Sequence, residues 1–152
     1  MSHARIALSL TLALLTGPAL AQEWGHAAAP MGQYEGGISM GDGAYAISYG
    51  CAGFYGTVSL HATGVHVAAG QSVLRVDGVE VARGNTVYNS ESDATVYEFR
   101  AEREWDPKLW EPYNRVVNAL ASGTEAVWEA PSGETFRFPL TGSAEIRSCL
   151  MN

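Results

Sequence analysis

Hydrophobic and polar positions alternate in short runs from residue 36 to about residue 101, and Asp-Gly or Thr-Gly pairs separate several of the runs. Alternation with a period of two is typical of a half-buried strand, and a two-residue turn between such runs is typical of an antiparallel hairpin. Three hairpins are predicted, with turns at Asp42-Gly43, Thr63-Gly64 and Asp77-Gly78. The chain is therefore expected to be mainly β.

Each predicted hairpin has one register that places similar side chains opposite each other. Those registers pair Ile38 with Ile47 and Met40 with Tyr45, then Leu60 with Val67 and His61 with His66, and finally Val76 with Val79, Arg75 with Glu80 and Leu74 with Val81. A slip of one residue would move every apolar side chain to the other face of the sheet, so each register is a specific prediction.

Beyond the hairpins, the pattern predicts a strand over residues 95–101, one helix and a last hairpin over residues 126–138. Asp106-Pro107 is typical of a helix start, and Gly123 of a helix end. Apolar residues recur between them at helical spacing: Leu109, Tyr113, Val116, Val117 and Leu120. The predicted fold is an antiparallel β-sandwich or curved barrel with one short helix at about residues 108–121. A short C-terminal helical turn completes it, with Ala144, Ile146, Cys149 and Leu150 facing inward.

The first 21 residues have the pattern of an export signal. A charged start at Arg5 precedes an apolar core over residues 6–15, and Ala19-Leu20-Ala21 predicts cleavage between Ala21 and Gln22. Residues 22–35 lack periodicity and predict a flexible leader, and residues 36–152 predict a single β-rich domain. Because no second long apolar run follows, the mature form is expected not to span a membrane. Export predicts a periplasmic or secreted location.

Cys51 and Cys149 are the only cysteines in the sequence. Export carries them to an oxidising compartment, where a disulfide is the expected state. Such a bridge would join an early strand to the end of the chain and would be structural.

The formal net charge is −7, with a single lysine. An acidic chain with scattered arginines offers no basic surface to neutralise phosphates, so nucleic acid is excluded as a partner. The expected partner is instead an unidentified protein or envelope component.

The segment Gly37-Ile38-Ser39-Met40-Gly41 matches the G-x-S-x-G signature of a hydrolase nucleophile elbow. An elbow needs a strand before the serine and a helix after it. Here alternation follows the serine, which predicts a hairpin instead. No catalytic residue, enzymatic activity or cofactor is therefore predicted.

Two histidines, His61 and His66, are the one constellation with candidate chemistry. The predicted hairpin places their imidazoles opposite each other, where they could share a zinc or copper ion. A third ligand from Asp42, Glu35 or His26 would be needed, and the spacing selects none of them. The alternative is a pair of half-exposed strand histidines.

Aromatic residues are concentrated around the start of the predicted helix, at Trp105, Trp110 and Tyr113. Aromatic side chains fill cores readily, so packing between helix and sheet is expected. An exposed binding surface is the alternative.

Four segments together resemble small exported alphaproteobacterial proteins of the invasion-associated locus B type: SYGC (48–51), LRVDG (74–78), NALASG (118–123) and FPLTGSAEIRSC (138–149). The resemblance implies a β-rich periplasmic or secreted domain without known catalysis, in some members linked to host-cell interaction. The layout is also similar to that of bacterial inhibitors of C-type lysozyme, although their Ser-Gly-x-x-Tyr segment is absent here.

The expected function is that of an exported, non-enzymatic binding or envelope-associated protein. One alternative is an inhibitor of a cell-wall or host hydrolase that presents the polar loop at residues 89–93. The other is a metal-binding protein that uses His61 and His66.

Overall fold

The computed structural model describes residues 22–152, except residues 65, 66 and 68. Its nine strands are all paired antiparallel in one sheet, and a single α-helix, α1 (Trp110–Ser122), lies within the described residues. The strands are β1 Gly25–Ala29, β2 Gln33–Met40, β3 Tyr45–Ala52, β4 Tyr55–Thr63, β5 Gly70–Val76, β6 Val79–Asn89, β7 Ala94–Glu102, β8 Glu125–Glu129 and β9 Thr135–Pro139.

The sheet curls into a half-barrel, which confirms the predicted mainly β fold class. Its strand order is β1-β2-β3-β4-β7-β6-β5-β8-β9, so the first and last strands form the two edges. The long strand β6 pairs with β5 along most of its length and with β7 only at residues 87–89. Across the curl, the Tyr45 ring lies 5.1 Å from that of Phe136 and 5.3 Å from that of Phe138. The two halves of the sheet therefore share one core.

The first and third predicted hairpins match the structure closely. Ile38 pairs with Ile47 and Met40 with Tyr45, so the first register is confirmed. In the third, Val76 pairs with Val79 and Arg75 with Glu80, as predicted, but Leu74 pairs with Ala82 rather than Val81. A bulge between Leu74 and Arg75 shifts the register by one residue, and alternation alone carries no signal for it.

The second predicted hairpin is wrong. Both edges of β4 are already occupied, because Leu60 pairs with Ile47 on β3 and with Tyr97 on β7. No edge of β4 remains for the segment after the Thr63-Gly64 turn. Val67 instead lies buried in the core, where its carbonyl accepts a hydrogen bond from the Thr95 hydroxyl.

Most of residues 25–35 lie in the sheet, so the prediction of a leader outside the β structure is wrong. Strand β1 and the start of β2 lie within this range, with Gly25 opposite Gly37 and Ala29 opposite Gln33. The Trp24 side chain is only 7% exposed, and its indole N–H donates to the Pro139 carbonyl at 2.8 Å. Local periodicity carries no signal for this contact, because Trp24 and Pro139 are 115 residues apart in sequence.

The helix matches its prediction apart from its first turn. A 3-10 turn (Pro107–Leu109) precedes α1, and the Asp106 carboxylate accepts a hydrogen bond from the Lys108 amide as the predicted cap. The remaining predicted apolar positions are buried: Tyr113, Val116, Val117 and Leu120. Leu109 is an exception at 57% exposed, because the 3-10 geometry turns it away from the helical stripe.

The last hairpin is confirmed, with Trp128 opposite Phe136. The C-terminal turn (Ser143–Cys149) is a 3-10 helix that buries Ile146 and Cys149 against the core. Ala144 was predicted to face inward and is exposed, since a 3-10 helix repeats every three residues rather than every 3.6. The side chain of Asn114 on α1 holds the segment that follows, through paired hydrogen bonds with the Met151 backbone at 2.8 and 2.9 Å.

Candidate functional site

The sulfurs of Cys51 and Cys149 lie at disulfide distance, as the cysteine count predicted. Cys51 is at the end of β3 and Cys149 ends the C-terminal 3-10 turn, with the two Cα atoms 5.4 Å apart. Both side chains are buried, and 98 residues separate them in sequence. The pair ties the C-terminal turn to the middle of the sheet.

His61 lies on the outer face of the sheet, and its Nε2 is 2.6 Å from the Ser48 hydroxyl on β3. Burial lowers the pKa of His61 below its usual value, and the negative charge of Glu98 opposes that shift more weakly. The imidazole is therefore neutral near pH 7, and its Nε2 accepts the proton of Ser48 in one tautomer and donates to the Ser48 hydroxyl oxygen in the other. No sequence motif indicates Ser48, because its contact with His61 is diagonal across two strands and depends on the register.

A serine bonded to a neutral histidine is the geometry of a nucleophile and its general base. Acyl transfer also needs N–H donors aimed at the developing oxyanion. Ser48 lies in the interior of the sheet, where its residue pairs with Gly37 on one side and Ser59 on the other. The backbone N–H and C=O groups around Ser48 are therefore used in the hydrogen bonds between strands. The carboxylate of Glu98 accepts a hydrogen bond from the Ser59 hydroxyl rather than from His61.

The predicted metal pair cannot be assembled from the described residues. His66 lies outside them, and the neighbours of His61 in the sheet are Ala46 and Val96. Over the part of the chain that the structure describes, no three or more His, Cys, Asp or Glu side chains are grouped so that they could hold a metal ion. The metal reading stays a prediction.

His26, one of the three residues that could supply the third ligand for that site, bonds elsewhere. Its Nε2 is 2.7 Å from the Gly142 carbonyl and its Nδ1 is 2.6 Å from the Tyr49 hydroxyl. A carbonyl only accepts, so Nε2 carries the proton and Nδ1 accepts from Tyr49. Burial, with a smaller effect of the Glu145 charge, raises the pKa of Tyr49. His26 thus joins the edge strand β1 to the C-terminal region.

The G-x-S-x-G segment forms a strand and a hairpin turn. Ser39 is exposed on β2, and the turn at Gly41–Gly43 leads directly into β3. The expected hairpin is confirmed, although the strand before Ser39 is longer than the sequence suggested. Of the predicted cleavage site, Ala21 lies outside the described residues, and Gln22 is the first described residue.

Five large apolar side chains are exposed at one end of the sheet, and we call them the apolar rim: Met31 (88% exposed), Tyr34 (42%), Phe54 (64%), Trp105 (37%) and Leu109 (57%). They come from the β1–β2 turn, the start of β2, the β3–β4 turn and the connection from β7 to α1. Two pairings place these connections together: Tyr34 lies opposite Cys51, and the Arg103 amide donates to the Phe54 carbonyl at 2.9 Å. The sequence pattern indicates an exposed aromatic surface, as an alternative, only around Trp105 at the start of the helix.

A cavity of about 270 Å³ lies beside the rim, next to the disulfide. Tyr34, Gly53, Arg103 and Ser148 are among the residues that line it. The Arg103 guanidinium donates from Nη1 to the Gly53 carbonyl at 3.1 Å, which fixes the side chain on the cavity wall.

No protein-family model, curated protein or solved structure matches this chain. Its resemblance to the invasion-associated locus B type therefore stays a prediction. Among the described residues, no helix combines the length and the apolar character needed to cross a bilayer.

Proposed function

We propose that this chain is an exported binding protein that acts through its surface, without catalysis, on a protein partner of the envelope or its surroundings. The apolar rim is the observation that carries the proposal. Large exposed apolar patches are uncommon on monomeric proteins, and they mark interaction surfaces.

The composition of the rim supports a protein partner. Aromatic residues, methionine and arginine are enriched in protein interfaces, and Tyr, Trp and Arg dominate binding energy within them. The rim contains Met31, Tyr34, Phe54 and Trp105, with Arg103 beside them. Burial of these side chains against a partner would contribute a favourable free energy of about 25 cal/mol per Å² of apolar surface removed from water.

Export supports the same proposal. The signal-like first 21 residues and the paired cysteines favour the periplasm or the medium, because disulfides persist in oxidising compartments. A non-catalytic role is favoured because the Ser48–His61 pair lies within a fully paired part of the sheet and faces no set of free backbone donors from β3.

The test uses two variants that each remove two exposed apolar side chains. Phe54→Ser with Trp105→Ser alters the rim, and Val79→Ser with Val87→Ser alters exposed valines elsewhere, at 68% and 66% exposure. Immobilised protein is titrated with an envelope extract, and retained proteins are measured for saturation. We expect saturable retention by the wild type and the valine variant, and a loss of about tenfold or more in the rim variant.

Two results would contradict the proposal. One is that the wild type retains nothing that saturates, and the other is that both variants retain the same protein equally well. Circular dichroism and urea unfolding of both variants establish that any loss is not a loss of folding.

A second candidate function is inhibition of a hydrolase by the β6–β7 loop. The loop is exposed, yet its conformation is fixed, because the Tyr88 hydroxyl donates to Asp93 at 2.7 Å and the Asn89 side chain accepts from the Glu91 amide at 2.9 Å. A rigid loop binds with little loss of conformational entropy, which favours an inhibitory role. Assays of a lysozyme and a protease panel with added protein test it, and unchanged rates throughout would dismiss it.

A further inference from the structure

We infer that the cavity beside the disulfide is a binding site for a carboxylate group carried by a small, weakly polar ligand. The inference goes beyond the proposed function, since it concerns the cavity and its arginine rather than the apolar surface of the rim.

The charge state of Arg103 is the first observation. Arg75, Arg83, Arg100 and Arg137 each pair with a glutamate within 4 Å. Arg103 makes no such pair with the described residues, although acidic side chains outnumber basic ones in the chain. Within the described part of the chain its side chain makes one hydrogen bond, through Nη1, so the donors on Nε and Nη2 have no partner there. These two atoms present the planar edge that a carboxylate binds through two parallel hydrogen bonds.

The position of Arg103 is the second observation. Its backbone amide and its Nη1 both bond to the β3–β4 turn, at the Phe54 and Gly53 carbonyls. An arginine whose main chain and guanidinium are each held by a hydrogen bond loses less conformational entropy on binding an anion than a free surface arginine does.

The chemistry of the cavity wall is the third observation. None of the side chains that line the cavity is acidic, and the Tyr34 hydroxyl, which has no partner among the described residues, adds a further donor. Asn152, the last residue, also lines the cavity, but within the described part of the chain no ion pair joins its main-chain carboxylate to Arg103. The cavity volume of about 270 Å³ corresponds to about nine waters at ~30 Å³ each, so it admits one small acid or the last residue of a peptide. The net charge of −7 repels anions from afar, but charges more than about 8 Å apart are screened at physiological salt.

The test is a calorimetric titration of the full mature chain with N-acetyl-L-alanine and, as the uncharged match, N-acetyl-L-alaninamide. We expect the acid to bind in the millimolar range or tighter, and the amide to bind at least tenfold more weakly. Arg103→Gln should weaken binding of the acid by about ten- to hundredfold, because a hydrogen bond to a charged group is lost. The matched control is Arg115→Gln, since Arg115 lacks a glutamate partner among the described residues but lines a different cavity. It should bind as the wild type does.

A second pair of probes, N-acetyl-trialanine and its amide, identifies the source of the carboxylate. Tighter binding of the peptide acid than of the single amino acid would assign the site to a peptide C-terminus, and equal binding to a small free acid. Equal binding of acid and amide, no binding of any acid, or an Arg103→Gln variant that binds like the wild type would overturn the inference. None of these results bears on retention by Phe54 and Trp105, so the two proposals fail separately.

Discussion

Replacing Gly56 with alanine should destabilise the protein strongly, because the helix packs directly on this glycine. A Cβ atom at Gly56 would lie 2.3 Å from the Tyr113 hydroxyl oxygen and 2.7 Å from the carbon that bears it. Ordinary contacts are about 3.5–4.0 Å, so the ring would have to move by about 1 Å. Tyr113 is only 1% exposed, and its hydroxyl donates to the Cys149 carbonyl at 3.0 Å.

Two costs add up in that substitution. Forcing an extra methyl into a packed core costs about 1–3 kcal/mol, and leaving the buried Cys149 carbonyl without its donor costs about 1–3 kcal/mol. We therefore expect Gly56→Ala to lower the free energy of unfolding by about 2–6 kcal/mol, a large share of the roughly 5–15 kcal/mol of a typical domain.

Urea unfolding measures this cost, and a double-mutant cycle assigns it. Tyr113→Leu removes both of the close atoms, so Gly56→Ala should cost at least about 1 kcal/mol less in that background. Gly53→Ala is the matched control, because a Cβ there meets nothing within 4 Å, and it should change stability by no more than about 0.5 kcal/mol. Equal costs of Gly56→Ala in both backgrounds would refute the reasoning.

Three further predictions concern stability. Replacing Cys51 and Cys149 by alanine should lower the free energy of unfolding by about 4–5 kcal/mol in the chain-entropy model. Urea unfolding without reductant measures this difference, and a change under about 1 kcal/mol would contradict the prediction. Hydrogen bonds from Thr124 and from the amide of Glu125 lower the pKa of Asp77. The stability that they provide should therefore be present above about pH 4 and be lost as the pH falls below that value. The Asp77→Asn variant should lose less stability between pH 7 and pH 3 than the wild type does, as measured by urea unfolding at each pH. Trp24→Phe removes the hydrogen bond from the indole to the Pro139 carbonyl, so amide hydrogen exchange in β1 should become roughly three- to tenfold faster. Unchanged exchange rates would show that this bond does not hold the strand in place.

Local pattern predicted the parts of the fold that local contacts determine. The Ile38–Ile47 register follows from alternation and an Asp-Gly turn, and the buried helix positions follow from their spacing. The pairing of β4 with β7 joins segments about 30 residues apart, and no turn between them records it. A Thr-Gly pair therefore predicted a hairpin for a strand whose two edges were already filled.

The candidate sites depend even more on distant contacts. The Ser48–His61 pair requires the register of β3 against β4, and the open guanidinium of Arg103 requires the β3–β4 turn to lie beside the end of β7. The disulfide was predictable because only two cysteines exist. The rim was not, because single exposed apolar residues carry no signal until the fold places their turns together.

The attachment of β1 by two side chains has a consequence when a protease cuts near the start of the described chain. Removal of the first few residues of the described chain would take away Trp24 and His26, and with them the bonds to Pro139 and Gly142. The freed border would then be β2, which carries Ile38 and ends at Met40 without a lysine or proline to deter pairing. A nicked molecule should accordingly expose the unpaired edge of β2, a longer strand than β1, to pairing with a strand of another chain.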